Sequence, residues 1–142
     1  MALQRVLIAD DSRVFRALVV EVLKEQGLEV LEAANGREAL DLLLSQRPQL
    51  AILDALMPLM SGFDVITKLR ERASDYRPVV FMVTAVYKSR RWHTEARQTY
   101  QVEEYLEKPL EPADLLKAVG RHFPEIWGLE GTSGPSTPPD PV

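Results

Sequence analysis

The chain has 142 residues, 46% of them hydrophobic and 27% charged, with a formal net charge of −4. That is the size and balance of one globular domain, which excludes fibrous and wholly disordered chains, and the negative charge does not favour nonspecific binding to nucleic acid or an anionic membrane. With no cysteine and two histidines, His93 and His122, there is no disulfide, no thiolate metal site, no cysteine nucleophile and no multi-histidine metal site.

The run Arg5-Val6-Leu7-Ile8-Ala9 is apolar at consecutive positions and predicts a buried strand. It passes straight into Asp10-Asp11, which is no secretory signal, and no apolar run reaches the roughly 18 residues a bilayer requires. A cytoplasmic location is expected, and the absence of cysteine is compatible with a reducing compartment. Residues 12–26 predict a helix with Val14, Leu18 and Val22 in a stripe, Phe15 and Val19 beside them, Ser12 as N-cap and Gly27 as the stop. Residues 28–33 read as a weaker strand. Asn35-Gly36, a turn or cap, opens a helix with Ala39, Leu40, Leu43 and Leu44 inward. Leu50-Ala51-Ile52-Leu53 is a third strand, ending at Asp54.

A helix follows Ser61-Gly62, with Val65, Ile66 and Leu69 on one face. Residues 78–84 are the strongest strand, residues 89–101 a polar helix, and Glu104-Tyr105-Leu106 a short fifth strand. Residues 112–123 form the last helix, with Leu115, Leu116 and Val119 inward and Pro112 in the first turn, where a missing N–H costs little. Residues 124–142 hold five prolines and three glycines. They bury too little to order themselves, so the expected domain is 1–123 and the rest a tail or linker remnant, with Ile126, Trp127 and Leu129 as the residues able to pack on it. Five strands alternating with five helices predict βαβ units and a parallel sheet covered on both faces.

In such a sheet the active crevice lies at the carboxyl ends of the strands, where their order reverses. Asp10 and Asp11 stand at the end of the first strand, Asp54 at the third, Thr84 at the fourth and Lys108-Pro109 at the fifth. Each alone has a plain explanation as a cap, a strand-end hydroxyl or a solvated charge. Three carboxylates converging on an interior edge do not, because like charges oppose one another's ionisation. A hard divalent cation such as Mg²⁺ resolves the conflict. A phosphoryl group could then be held by the cation, the Thr84 hydroxyl and the Lys108 ammonium.

The set Asp10-Asp11, Asp54, Thr84 and Lys108-Pro109, with Leu53-Asp54-Ala55-Leu56-Met57-Pro58 followed by Ser61-Gly62, resembles the receiver (phosphoacceptor) domain of two-component response regulators over about residues 4–123. The resemblance implies a flavodoxin-like, doubly wound (βα)5 fold and a phosphoprotein acting in phosphorelay signal transduction. Asp54 would be the phosphoacceptor, a carboxylate nucleophile. Mg²⁺ would be bound directly by Asp11, through water by Asp10, and by Asp54 and the carbonyl of Leu56. Thr84 and Lys108 would hold the phosphoryl oxygens, with small Ala85 leaving access. The Lys108–Pro109 bond would be cis, and Tyr105 would be the aromatic that turns inward on activation.

The implied partners are a sensor histidine kinase or phosphotransfer protein and an unnamed downstream protein. That protein would bind the surface made by the helix over 89–101, the fifth strand and the last helix. The resemblance implies a monomer or a phosphorylation-dependent dimer and no enzyme beyond self-catalysed phosphotransfer and slow autodephosphorylation; with no DNA-binding helix pair after residue 123 and no long apolar run, neither direct DNA binding nor a membrane is expected. The slowness follows from Leu56 and Val86, two residues beyond Asp54 and Thr84, since neither can hydrogen-bond an attacking water. The run Lys88-Ser89-Arg90-Arg91-Trp92-His93, within a basic segment 88–97, opposes the dipole of the helix it opens and reads as a solvated face or a partner surface. His93 and Trp127 read as surface and tail-packing residues, and His122 as a charge near a helix end.

Other readings fit less well. An aspartyl-nucleophile phosphohydrolase would place a second acid at position 56, where Leu stands. A flavin-phosphate loop would be rich in Ser, Thr and Gly, and Asp10-Asp11-Ser12 would repel its ligand. A receiver-like interaction module that is never phosphorylated has no evident use for three acids and Lys108.

Overall fold

The computed structural model describes residues 2–85 and 101–125. Most of the expected helix over 89–101, the basic segment 88–97, Val86, His93, Ile126, Trp127, Leu129 and the tail lie outside the described residues. Five strands form one parallel sheet: β1 (Arg5–Ala9), β2 (Glu29–Ala33), β3 (Leu50–Asp54), β4 (Val79–Ala85) and β5 (Glu104–Lys108). Among the described residues four helices, α1 (Arg13–Lys24), α2 (Gly36–Gln46), α3 (Gly62–Arg72) and α4 (Pro112–His122), accompany it.

The strand order is β2-β1-β3-β4-β5. The chain therefore winds outward from β1 to β2, returns across β1 to β3, and continues to the other edge. This is the flavodoxin-like doubly wound topology, and its reversal point lies between β1 and β3. Strand side chains alternate between two cores. Leu7, Ala9, Ala51, Leu53, Val80 and Met82 face the helices α2 and α3. Val6, Ile8, Leu50, Ile52, Phe81 and Val83 face α1 and α4. With both faces covered, the inner strands must be apolar at every position, which is why they read as unbroken runs.

The helix starts are built by local chemistry. Ser12, Asn35 and Ser61 each accept a backbone N–H from the residue three positions on, satisfying a donor the helix itself cannot. Helix α4 has no side-chain cap and starts instead on Pro112. At the other end of α2, Arg47 is forced into the left-handed region at φ 46°. There its guanidinium pairs with Asp75 at 3.0 Å and lies over the Tyr76 ring.

Two details differ from the sequence expectation. Of the expected stripe of α1, Val14-Leu18-Val22, only Val22 is buried: Val14 is 82% and Leu18 42% exposed, and the buried face is Val19, Val22 and Leu23 with Phe15 beside them. Apolar residues occupy most of the helix circumference (Val14, Phe15, Leu18, Val19, Val20, Val22, Leu23), so periodicity alone could not fix the face. Strand β5 also runs on to Lys108, and β4 to Ala85. Glu107 and Lys108 pair with Thr84 and Ala85, which an edge strand tolerates because one of its sides is open to charge.

The helix phase is open to a stability measurement. Leu23→Ala is expected to lower the free energy of unfolding by about 2–4 kcal/mol through loss of buried methyl groups. Val14→Thr is expected to change it by less than about 0.5 kcal/mol in the same urea titration.

Candidate functional site

The acidic side chains meet at the reversal point, above the carboxyl ends of β1 and β3. Asp10 follows β1 and is wholly buried. Its Oδ1 accepts the Ser12 N–H at 2.8 Å, and its Oδ2 lies 2.8 Å from Lys108 Nζ. Asp54 closes β3 at 7% exposure. Its Oδ1 accepts the Leu56 N–H at 3.2 Å, and its Oδ2 stands 3.7 Å from the same ammonium. Asp11 is exposed at the rim. One carboxylate oxygen from each of Asp10, Asp11 and Asp54 lies within 4.8 Å of the other two.

This donor set fits a hard divalent cation. It offers oxygen alone, it concentrates negative charge, and the exposed Asp11 leaves room for the waters that Mg²⁺ retains. Among the described residues no nitrogen or sulfur ligand, which would favour zinc, joins the cluster. The residues able to hold the ion are Asp10, Asp11 and Asp54.

Lys108 ends β5, and the Lys108–Pro109 peptide is cis. Opposite Lys108 in the ladder stands Ala85, a small residue. Among the described residues the ammonium meets the two carboxylates and the face of the Phe15 ring, whose centroid is 4.5 Å away. Thr84, next to the end of β4, is 1% exposed. Tyr105 points into the α2/α3 core, where burial, and then the charge of Glu107, raise its phenol above the usual range while an interaction with Thr84 opposes the rise. Leu56 is half exposed, two residues beyond Asp54.

Burial and the neighbouring Asp10 charge push Asp54 up to about 6, against the pull of Lys108 and the Leu56 N–H. The shift is a like-charge and desolvation effect, the signature of a site that lacks positive charge.

Two glycines let the loops come close enough to build this arrangement. A Cβ on Gly62 would lie 2.5 Å from the Asp54 carbonyl oxygen, and its N–H donates to the Ala55 carbonyl at 3.0 Å. A Cβ on Gly36 would lie 2.0 Å from the Met60 carbonyl oxygen, and its N–H donates to the Pro58 carbonyl at 3.3 Å. The loop after Asp54 is thus clamped between the starts of α2 and α3.

Sequence reasoning missed Arg16. Its guanidinium donates to the Asp10 carbonyl at 2.7 Å and pairs with Glu32 at 3.3 Å, tying the β1–α1 turn to β2. Six residues beyond Asp10, it looks in sequence like any solvated arginine of a surface helix. Sequence periodicity places Phe15 in the core alone, and nothing in the spacing joins it to Lys108.

The chain matches the response regulator receiver domain family over residues 6–120. It is 33% identical over 132 residues to the transcriptional regulatory protein PdtaR of Mycobacterium tuberculosis, an alignment covering 90% of this chain and 62% of PdtaR. It is 35% identical over 112 residues to response regulator MprA of Mycolicibacterium vanbaalenii, covering 79% of this chain and 47% of MprA. The chain therefore spans about half to two thirds of the length of these relatives. Among solved structures it resembles the chemotaxis protein CheY4 of Vibrio cholerae, with a TM-score of 0.76 at 33% identity, covering 84% of this chain and 98% of that one. The signal receiver domain of a LuxO repressor protein from Vibrio parahaemolyticus gives a TM-score of 0.78 at 28% identity, covering 94% and 99%. The chain belongs to the response regulator receiver domain family.

The raised affinity of Asp54 for a proton makes a signed prediction. A carboxyl that titrates near 6 in the fold and near 3.8 unfolded contributes stability that is present below pH about 4 and lost as pH rises through about 6. Asp54→Asn is therefore expected to be more stable than the wild type at pH 7.5 by about 1–3 kcal/mol, with the gap closing toward pH 4. Urea unfolding at the two pH values, without divalent cation, measures it; added Mg²⁺ is expected to narrow the gap at pH 7.5.

Proposed function

We propose that this domain, taken as residues 1–123 with 124–142 as a tail or linker, is a phosphorylation-controlled binding switch. Asp54 accepts a phosphoryl group from a phosphohistidine of a sensor histidine kinase or phosphotransfer protein. An Asp54 carboxylate oxygen attacks phosphorus, the P–N bond to the donor imidazole breaks, and the imidazole leaves with the bonding pair and takes up a proton from solvent. The single observation that carries this reading is the meeting of the Asp10, Asp11 and Asp54 carboxylates at the sheet's reversal point, with the Lys108 ammonium against two of them, Asp10 and Asp54.

Each residue has a part set by its position. The half-neutralised Asp54 is ionised at neutral pH, as a nucleophile must be, since it titrates near 6. Asp10, Asp11, Asp54 and the Leu56 carbonyl would hold Mg²⁺, which when bound would supply charge stabilisation for the phosphoryl oxygens. The Lys108 ammonium and the Thr84 hydroxyl hold those oxygens from the β5 and β4 side. Thr84 and Tyr105 interact, so a hydroxyl drawn toward a phosphoryl group alters the setting of the aromatic ring. That local change biases a population between two conformations and so the affinity for a downstream partner. The domain acts as a phosphoacceptor rather than as a turnover enzyme.

Incubation with Mg²⁺ and acetyl phosphate is expected to add one phosphoryl group by intact mass, and none with EDTA or in Asp54→Ala. An unmodified wild type that also fails to bind beryllofluoride would move the reading to an interaction module that is never phosphorylated. The half-exposed Leu56 cannot orient water, so a long-lived acyl phosphate is expected. Leu56→Asn, which adds an amide able to hold water, is expected to shorten its lifetime about three- to tenfold in a decay assay.

A further inference from the structure

We propose that Phe15 is a positioning residue for phosphoryl transfer, its ring face holding the Lys108 ammonium in the site. The inference rests on the functional reading above and deepens it.

Lys108 arrives on the edge strand β5 with a long, flexible stem, and its side chain remains 25% exposed. Asp10 alone does not fix such a group in direction, because an ammonium is a point charge that rotates about its ion pair. The Phe15 ring supplies the second constraint. Its centroid lies 4.5 Å from Nζ, within the range at which a cation is drawn to an aromatic face. Asp10 and the ring thus hold the ammonium 3.7 Å from Asp54 Oδ2.

The ring is placed by the acidic turn itself. Asp10 Oδ1 accepts the Ser12 N–H at 2.8 Å, and Ser12 Oγ in turn accepts the Phe15 N–H at 3.3 Å. Lys108 over the ring returns to Asp10 through Oδ2 at 2.8 Å. Asp10, Ser12, Phe15 and Lys108 therefore form a closed circuit joining β1, α1 and β5. The aromatic face contributes attraction without charge. An acid in its place would add a fourth carboxylate to the cluster, and an aliphatic residue would leave the ammonium free to swing to solvent.

The test separates ring electronics from packing. In the wild type, the Lys108 ε-methylene protons are expected to be shifted upfield by the ring current, in Phe15→Tyr as well, but not in Phe15→Leu. Uptake of phosphate from acetyl phosphate is expected to slow about two- to tenfold in Phe15→Leu and to recover in Phe15→Tyr. Replacing Phe15 by mono-, di- and trifluorophenylalanine keeps its shape while weakening the ring's negative face, and is expected to slow uptake stepwise. A flat fluorine series, a wild-type rate in Phe15→Leu, or unshifted ε-methylene protons in the wild type would each overturn the proposal. A wild type with shifted protons that takes up no phosphate would instead overturn the functional reading, and with it any role of the ring in that reaction.

Discussion

Everything at the carboxyl edge of the sheet depends on how two buried carboxylates are kept tolerable beside each other. Asp10 is fully enclosed and Asp54 nearly so. Such groups are costly to bury unless their charge is answered. The answer is partial: one ammonium, Lys108, serves both, while Ser12 and Leu56 each lend a backbone N–H. Asp54 is left under-compensated, which is why it holds its proton up to about pH 6. A core tuned only for stability would have replaced such a cluster with apolar residues. Its retention in the most protected part of the molecule ties the site to ligands that bring positive charge.

The fold was legible where a residue's environment is decided by the residue itself. Strands covered on both faces must be apolar throughout, so β1, β3 and β4 announced themselves. Asp54 was conspicuous because an acid ending an apolar run has no structural reason to be there. What the sequence left open were choices among near-equals. Helix α1 offers apolar residues on most of its surface, and only the partner sheet selects Val19, Val22 and Leu23 over Val14 and Leu18. The last two residues of β5, Glu107 and Lys108, carry no apolar signal, because the ladder to Thr84 and Ala85 asks only for backbone.

The acids of the site were legible for a chemical reason and their supports were not, for a geometrical one. Asp10, Asp11, Asp54 and Lys108 are residue types that rarely sit at the ends of buried strands without a task. Arg16, Phe15 and Gly36 are ordinary on a helix. Their parts appear only when distant chain segments are superposed: Arg16 on the Asp10 carbonyl, Phe15 under Lys108, Gly36 against Met60. None of these pairings has a spacing that a one-dimensional pattern could register.

The distribution of rigidity follows from the same supports. Asp10 is fixed through its N–H to Ala33, its carbonyl to Arg16 and both carboxylate oxygens. The loop beyond Asp54 is gripped by Gly36 and Gly62 at distances no larger residue would allow. Thr84 belongs to the same frame, since β4 is laddered to β3 up to Asp54 and Val83, whereas the Lys108 side chain, on the edge strand β5, meets it only through an ion pair and a ring contact. An ion pair to a neighbouring carboxylate and a cation over a ring each give way to a stronger anion. An anion arriving beside Asp54 would therefore meet a backbone fixed across β1, β3 and β4 and one side chain, Lys108, able to shift toward it.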